Sequence, residues 1–417
     1  MRIRKVYLKD FRGISEAQMD FDEKSIVLFG VNGSGKSSIL QAVNLVFEKL
    51  INKVVQNRFR QNIKMSETDV RVGSSQCEIS VEFSFNGDEY NIGRKLDKKL
   101  NKQSVKPKAL EVFAHRYKET FGSVYDDKIM QRSNIPIFVN YGVNRLVKDI
   151  PLRIRKTHVF DPLYTYENAI QNIVNFHTFF EWYRNREDYE NEVRSRDNPH
   201  YCDIQLDAVR RATEKMMSGF TKLRVTRSPL KMMICKEGMS LNVTKLSDGE
   251  RCLLALIGDL ARRASMANEN PFNCEGIVVI DEIELHLHPT WQRRIVTTLR
   301  DVFPNIQFLI STHSPQVLSD IPNDMKVFKL SSVHSKIAIA EMQTLRGWDV
   351  NSILENHMET SSKNIETNAL VSKAYEFVHA GNFDLAENCA DELEHMTNNK
   401  NTDVIKLRFL ISRGRKK

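Results

Sequence analysis

Glycines at positions 30, 33 and 35, followed at once by Lys36 and Ser37, form a spacing suited to holding phosphate. The string Gly30-Val-Asn-Gly-Ser-Gly-Lys-Ser37 matches G-x-x-x-x-G-K-[ST]. Its glycines permit backbone angles and a close approach that side chains would block, so successive amide N–H groups can converge on one anion. Lys36 adds a point charge for the β- and γ-phosphates. Ser37 offers a hydroxyl to Mg2+, and the positive end of the helix that follows favours the same anion. These groups imply ATP with Mg2+, and the expected nucleotide contacts are Asn32, Gly33, Ser34, Gly35, Lys36, Ser37 and Ser38.

Three further strings carry chemistry. In Gly276-Ile-Val-Val-Ile-Asp-Glu282 four apolar residues in a row suit a strand buried on both faces of a parallel sheet, which delivers its last residues to a nucleotide crevice. Asp281 is then placed to hold Mg2+ through water, and Glu282 to polarise the attacking water as general base. Asn305-Ile-Gln-Phe-Leu-Ile-Ser-Thr-His313 is a second apolar run with a polar end, and it puts His313 within reach of a γ-phosphate. Leu246-Ser-Asp-Gly-Glu250 opens a helix reaching Arg263, where Ser247 and Gly249 stand at an N-terminus able to meet an anion.

The elements that must position these groups are legible in part. Ser25-Ile-Val-Leu-Phe29 reads as a strand and Ser38 to Phe47 has helical spacing, so the phosphate loop sits between strand and helix. Residues 1 to 30 read as short strands. Gln76 to Phe85 alternates and meets Asn86-Gly87, a strong hairpin signal. From about Pro162 to Thr221 the pattern is helical, with Phe176, Phe179, Phe180 and Tyr183 on one face, which is either core or a partner surface. Val327 to Leu330 and Ile337 to Ala340 read as closing strands, and helices follow from Ala369, Phe383 and Asp403. No heptad pattern persists between Lys36 and Ser247, which excludes a long coiled-coil arm.

Composition sets outer bounds. The chain has 417 residues, 41% of them hydrophobic, enough for one large or two moderate cores. No apolar run approaches the roughly 20 residues that span a bilayer, so a cytoplasmic protein without membrane contact is expected. Six scattered cysteines lack C-x-x-C spacing, which argues against zinc and a disulfide framework. The net charge is +8, and Arg94 to Lys108 holds seven basic residues against one acid. That run, like the tail Arg413 to Lys417, has two open readings: contact with nucleic-acid phosphates, or a solvated loop.

The order of phosphate loop, LSDGE, Asp-Glu and histidine resembles the ABC-type ATPase heads, in particular the SMC-like and OLD-like branch. The resemblance implies an α/β fold: an ABC-type (SMC/OLD-like) P-loop ATPase head with an antiparallel β lobe, a helical insert and a C-terminal helical tail. It also implies head-to-tail pairing, in which Ser247 and Gly249 meet the γ-phosphate held by Lys36 of a second copy. Asp248 and Glu250 depart from the glycine and glutamine of many relatives and are expected to add negative charge near that phosphate. His288 stands where transporter heads carry an aspartate. Asn140 and Arg145, in Phe138 to Arg145, border the nucleotide by the same resemblance, in place of an identifiable Q-loop glutamine.

The combination of Trp182 to Asn191, Leu246 to Leu254, Asp281 to Pro289 and Gly347 to Ile353 is similar to the PtuA-like ATPases of bacterial Septu antiphage systems, most of all the retron-associated form. That resemblance implies a homodimer or higher oligomer, the HNH nuclease PtuB as partner, and in the retron case a reverse transcriptase with its RNA–DNA product. OLD nucleases continue into a Toprim domain with an Asp-x-Asp pair, and residues 320–417 lack that spacing, so the chain is not expected to cut nucleic acid itself. The division expected is 1–150 and 226–346 for the two parts of the head, 151–225 for the helical insert and 347–417 for a docking tail, with a helical cap as the alternative reading of the last. Three functions stay open: a defence ATPase licensing a separate nuclease, an SMC-like DNA-repair ATPase, and an ATP-clamped scaffold that does not hydrolyse.

Overall fold

The computed structural model describes residues 1–56, 61, 63–100, 102–105, 107–122, 134–145, 161–333, 336–358, 365–397 and 402–415. The 150/151 division therefore lies outside the described residues, as do Asn101 and Lys106 of the basic run and Lys416 and Lys417 of the tail. The chain divides into two compact units, Met1–Gly347 and Trp348–Lys417.

The first unit is organised by apolar runs that have nowhere to go but the inside of a sheet. Strands β1 (Arg2–Phe11), β2 (Ile14–Asp20) and β3 (Ile26–Gly30) lead into helix α1 (Lys36–Val54). Strands β4 (Gln76–Phe85), β5 (Asp88–Asp97) and β6 (Lys102–Val105), helix α2 (Pro107–Thr120) and strand β7 (Ile137–Tyr141) follow. Then come α3 (Phe176–Arg196), α4 (Ile204–Met216), β8 (Phe220–Arg227), β9 (Leu230–Lys236), β10 (Met239–Asn242) and α5 (Asp248–Ala267). The unit closes with β11 (Gly276–Ile280), α6 (Pro289–Val302), β12 (Ile306–Thr312), α7 (Pro315–Leu318), β13 (Lys326–Val333) and β14 (Lys336–Met342).

The central sheet has the order β14-β13-β3-β12-β11-β7. Its neighbours are parallel except at the β13–β14 edge. Every residue of β3, β7, β11 and β12 is buried, as strands covered on both faces must be. Parallel pairing then brings the carboxyl ends of these strands to one edge, and the register sets Ile280 beside both Ile310 and Tyr141. The expected functional strings follow from those ends.

A second sheet, β2-β1-β4-β5-β6, is antiparallel. Strand β4 alternates buried and half-buried positions, and its hairpin turns on Asn86 and Gly87, both at positive φ (52° and 85°), as an Asn-Gly turn requires. The two sheets are tied by the Gln307 amide, which accepts from Ile3 N at 2.6 Å and donates to Ile3 O at 2.9 Å. Phe47 of α1 stacks on Phe138 of β7 with ring centroids 4.1 Å apart.

The aromatic stripe on α3 is core. Phe176, Phe179, Phe180 and Tyr183 are buried, the Tyr183 hydroxyl donates to Leu223 O at 2.6 Å, and the Phe179 ring fills the space over Gly258 of α5. A Cβ at Gly258 would lie 2.7 Å from that ring. These rings are thus unavailable as a partner surface. The helical stretch itself gives way to strand at Phe220, earlier than a helix running to Thr221 would allow, and β8, β9 and β10 form a small sheet of their own.

The basic run is also less free than its sequence suggests. Arg94 is buried, 3.3 Å from Glu48, Lys95 pairs with Glu78 at 2.7 Å, and Lys102 lies on the antiparallel partner of β5. Arg94 cannot serve a phosphate backbone.

The second unit consists of α8 (Val350–Asn356), α9 (Ile365–His379), α10 (Phe383–Thr397) and α11 (Thr402–Gly414). Val371, Ala374, Cys389, Ala390, Leu393, Val404 and Leu407 give it a core of its own. Gly381, at φ 76°, sits between α9 and α10 at the break read from the sequence. Among the described residues no helix is long and apolar enough to cross a membrane.

Candidate nucleotide site

The phosphate loop leaves β3 at Gly30, where φ is 149° and a Cβ would collide with the Leu330 carbonyl oxygen of β13. Gly35 at the other end has φ 98°, and a Cβ there would lie 2.6 Å from Ile337 Cδ1. At Gly30 both the angle and the space demand glycine, and at Gly35 the left-handed angle favours it. Between them Val31, Asn32 and Gly33 are exposed and Ser34 is buried; beyond them, in the first turn of α1, Ser37 is exposed and Ser38 half-buried.

Helix α1 differs from its neighbours at its N-terminus. Helices α3, α4, α5, α6, α7 and α8 each begin on a side chain that accepts from a backbone N–H, whereas α1 begins on Gly35 with no side-chain cap. The first-turn N–H groups of a helix need acceptors, so an uncapped start behind a glycine loop fits a phosphate group. Lys36 folds back on the same loop, its Nζ donating to Gly30 O at 2.9 Å and Val31 O at 3.0 Å. Burial lowers its pKa to about 8 against the pull of Asp281, Glu282 and Glu284.

The acids and the histidine come from the next two strand ends. Ser311 Oγ donates to Asp281 Oδ1 and accepts from Glu282 N at 2.8 Å, locking the end of β11 to β12. Glu282 has φ 48°, a left-handed turn that directs the chain away from the sheet. Arg145, nearly fully buried, donates to the Glu282 carbonyl and so fixes this turn. Asn140 is turned elsewhere, its side chain donating to Asn172. His313 is half-buried, and its pKa is lowered by burial and by Lys36 against Asp281, Glu282 and Glu284. Lys36, Asp281, Glu282 and His313 therefore share one electrostatic environment. An exposed Ser37 hydroxyl and an Asp281 carboxylate with one oxygen bound by Ser311 are hard oxygen donors that suit Mg2+.

The start of α5 is built separately. Ser247 Oγ accepts from Glu250 N at 3.3 Å while Glu250 Oε2 accepts from Ser247 N at 2.8 Å, a reciprocal capping box. Ser247 and Asp248 remain exposed, and Gly249 lies against the His286 carbonyl, so close that a Cβ would collide with it. The extra negative charge expected here is offset. Lys236 Nζ reaches Glu250 Oε1 at 2.6 Å, and Arg251 pairs with Asp248. Burial opposes ionisation of Glu250, but Lys236 and the Ser247 N–H together lower its pKa.

Sequence reading missed four residues. Nothing in the run that ends at His313 singles out Ser311, and nothing beside Lys236 in the sequence points to Glu250. Asp259 is fully buried on α5, bound to Arg262 and Arg263 at 2.7 Å each and accepting from Tyr141 OH at 2.9 Å. Tyr141 O in turn accepts from Asp281 N at 2.9 Å, which joins α5 to the acidic strand end. The fourth, Glu284, accepts from His313 N at 2.6 Å and from Thr312 Oγ1 at 2.8 Å. Its one signal was a third acid in Asp281-Glu-Ile-Glu284. His288, set apart in the sequence, caps α6 through Nδ1 on Thr290 N at 3.3 Å.

The family described as "AAA domain, putative AbiEii toxin, Type IV TA system" matches residues 25–319, from the start of the phosphate-loop strand to beyond His313. The chain belongs to this family. "Retron Vc95 probable ATPase" of Vibrio cholerae serotype O1 biovar El Tor is 29% identical over 380 residues, spanning 78% of this chain and 72% of the relative. "Septu protein PtuA" of Bacillus mycoides (strain KBAB4) is 25% identical over 365 residues, spanning 84% of this chain and 44% of that protein. The likeness to Septu PtuA and to retron ATPases drawn from the motifs thus extends along most of the chain. Among solved structures, the "SMC head domain from Thermotoga maritima" aligns with a TM-score of 0.45 at 16% identity, over 82% of this chain and 100% of that one.

Proposed function

We propose that this AAA-family chain is the ATP-binding and ATP-hydrolysing subunit of a bacterial antiphage defence complex of the retron or Septu type. Two heads pair around nucleotide, and their nucleotide state controls a separate HNH nuclease; the chain itself hydrolyses ATP and does not cut nucleic acid. The observation that carries the ATPase reading is that parallel pairing of β3, β12 and β11 brings the phosphate loop with Lys36, the Asp281-Glu282 turn and His313 to one sheet edge, beside an uncapped helix N-terminus.

In this reading the loop N–H groups from Asn32 to Ser38 cradle the phosphates, and Lys36 leaves its contacts with Gly30 and Val31 to neutralise them. Mg2+, when bound, is held by Ser37 and Asp281 and supplies further charge neutralisation at the phosphates. Glu282 takes the proton of the attacking water, and neutral His313 makes a hydrogen bond to the terminal phosphate. Ser247 and Gly249 serve the nucleotide of a second copy. Support for this last role is that the Ser247 turn is surface-exposed yet held rigid by its capping box, which a partner's phosphate can use without reordering cost. Support for the defence role is likeness to retron and Septu proteins.

The division into head, helical insert at 151–225 and docking tail at 347–417 belongs to the same proposal, with the tail as the site for the nuclease. A reverse transcriptase with its RNA–DNA product is the further partner in the retron form. The test is nucleotide binding and single-turnover hydrolysis by wild type, Lys36→Ala and Glu282→Gln. Lys36→Ala should lose ATP binding, and Glu282→Gln should bind ATP and hydrolyse it at least about a hundredfold more slowly. Normal ATP binding by Lys36→Ala would refute the nucleotide assignment, and equal hydrolysis by wild type and Glu282→Gln would leave only a scaffold.

A further inference from the structure

Past Thr312 the paired register of β12 with β3 ends, so the peptide N–H of His313 has no ladder acceptor and must find one elsewhere. Glu284 provides it. One carboxylate oxygen accepts from His313 N at 2.6 Å and the other from Thr312 Oγ1 at 2.8 Å, so both oxygens hold the two residues at the strand end. Such charge-assisted bonds are short and directional.

Glu284 is itself held by a rigid turn. Ile283 N donates to Ser311 O at 3.1 Å, Leu285 N to Glu282 O at 3.0 Å, and Leu287 N to Glu284 O at 2.9 Å. Thr312 Oγ1 also accepts from Ser314 N at 3.0 Å, which extends the clasp to the N-cap of α7. The turn carrying Glu282 is tied to β12 at Ser311 by Glu282 N and Ile283 N, and the Glu284 carboxylate carries that tie on to Thr312 and the His313 peptide.

We propose that Glu284 is a positioning residue for ATP hydrolysis: it fixes the His313 peptide, and through it the imidazole, relative to the Glu282 turn. It touches no nucleotide and acts only through His313. This rests on the reading of His313 given above, and a double-mutant cycle separates the two. Glu284→Gln keeps an oxygen for His313 N and a group that can pair with Thr312, so it should stay within about threefold of wild type in kcat. Glu284→Ala loses both contacts and should lower kcat about tenfold or more with KM for ATP nearly unchanged.

In the His313→Ala background Glu284→Ala should cost less than about twofold more, because the group it positions is gone. A further tenfold loss in that background, or a wild-type kcat in the single Glu284→Ala variant, would overturn the positioning role while leaving His313 in place. A wild-type kcat in His313→Ala would instead remove the His313 reading and this proposal with it. Should Glu284→Ala fail to fold, judged by its circular dichroism melt, Glu284→Asp carries the same cycle, since its shorter arm cannot reach both partners.

Discussion

Asparagine at position 259 would remove one negative charge from a fully buried cluster while changing almost nothing in shape. Asp259 Oδ1 binds Arg262 at 2.7 Å, and Oδ2 binds Arg263 at 2.7 Å and the Tyr141 hydroxyl at 2.9 Å. Burial alone would raise the carboxyl pKa, but Arg263 and Arg262 outweigh it and hold the group at about 2 rather than 3.8. That shift corresponds to about 2 kcal/mol of preference for the charged form in the fold. Leaving two guanidinium groups buried without their acid costs more, about 3–5 kcal/mol where neither finds another partner. Arg263 keeps the Thr165 carbonyl and Glu167 O at 3.0 Å, whereas among the described residues Arg262 keeps a 3.8 Å contact to Met266 Sδ. The expected loss for Asp259→Asn is therefore about 3 kcal/mol, measured by urea unfolding at pH 7 with far-ultraviolet circular dichroism. Tyr141→Phe, which deletes one hydrogen bond to the same carboxylate, should cost about 1 kcal/mol. Because the folded pKa is depressed, the stabilisation is complete above the unfolded value and fades as pH falls toward about 2, so the gap between Asp259→Asn and wild type should narrow over that range. A loss under about 1 kcal/mol at pH 7 would refute the view that this cluster binds α5 to β7.

The remaining expectations concern the site. Gly249→Ala would drive a methyl into the His286 carbonyl, so it should shift the start of α5 and abolish ATP-dependent pairing while leaving ATP binding by the single head within about threefold, read by nucleotide titration and light scattering. In the free enzyme His313 is held neutral by burial and by Lys36, against Asp281, Glu282 and Glu284, so kcat/KM should be flat through pH 7 and fall only below the ordinary histidine value of 6.5. On the alkaline side kcat/KM should fall as Lys36, at about 8, loses its charge; a profile rising from pH 7.5 to 9 would contradict this. Lys236→Ala exposes the Glu250 charge; it should leave stability within about 1 kcal/mol and raise the ATP concentration needed for pairing, and an unchanged requirement would show that the charge is immaterial.

The parts of the fold set by local chemistry were legible. Asn86-Gly87 fixes its hairpin through two positive φ values, the apolar runs at 26–29 and 277–280 and the mainly apolar 306–310 suit doubly covered strands, and Gly30 and Gly35 take backbone angles that favour glycine. What depends on pairing across long stretches of chain was not. Nothing near Glu284 in the sequence says that it meets the His313 N–H, 29 residues later and past the end of β12, and nothing near Asp259 points to Tyr141, which lies 118 residues earlier. The partner of the Glu250 charge was hidden for the same reason, since Lys236 reaches α5 from the end of β9. Local composition also overstated the basic run, because an arginine such as Arg94 can spend its charge inside the protein on Glu48.

The central claim is that nucleotide is held between two copies of this chain, each giving its Ser247 turn to the other. Its most direct test is the mass in solution, by light scattering, of Glu282→Gln and of Glu282→Gln with Ser247→Arg, each with and without ATP and Mg2+. ATP should double the mass of the first protein, and the second should bind ATP equally well yet gain no mass. Pairing of the Ser247→Arg protein to the same extent, or no ATP-dependent gain in either, would contradict the account.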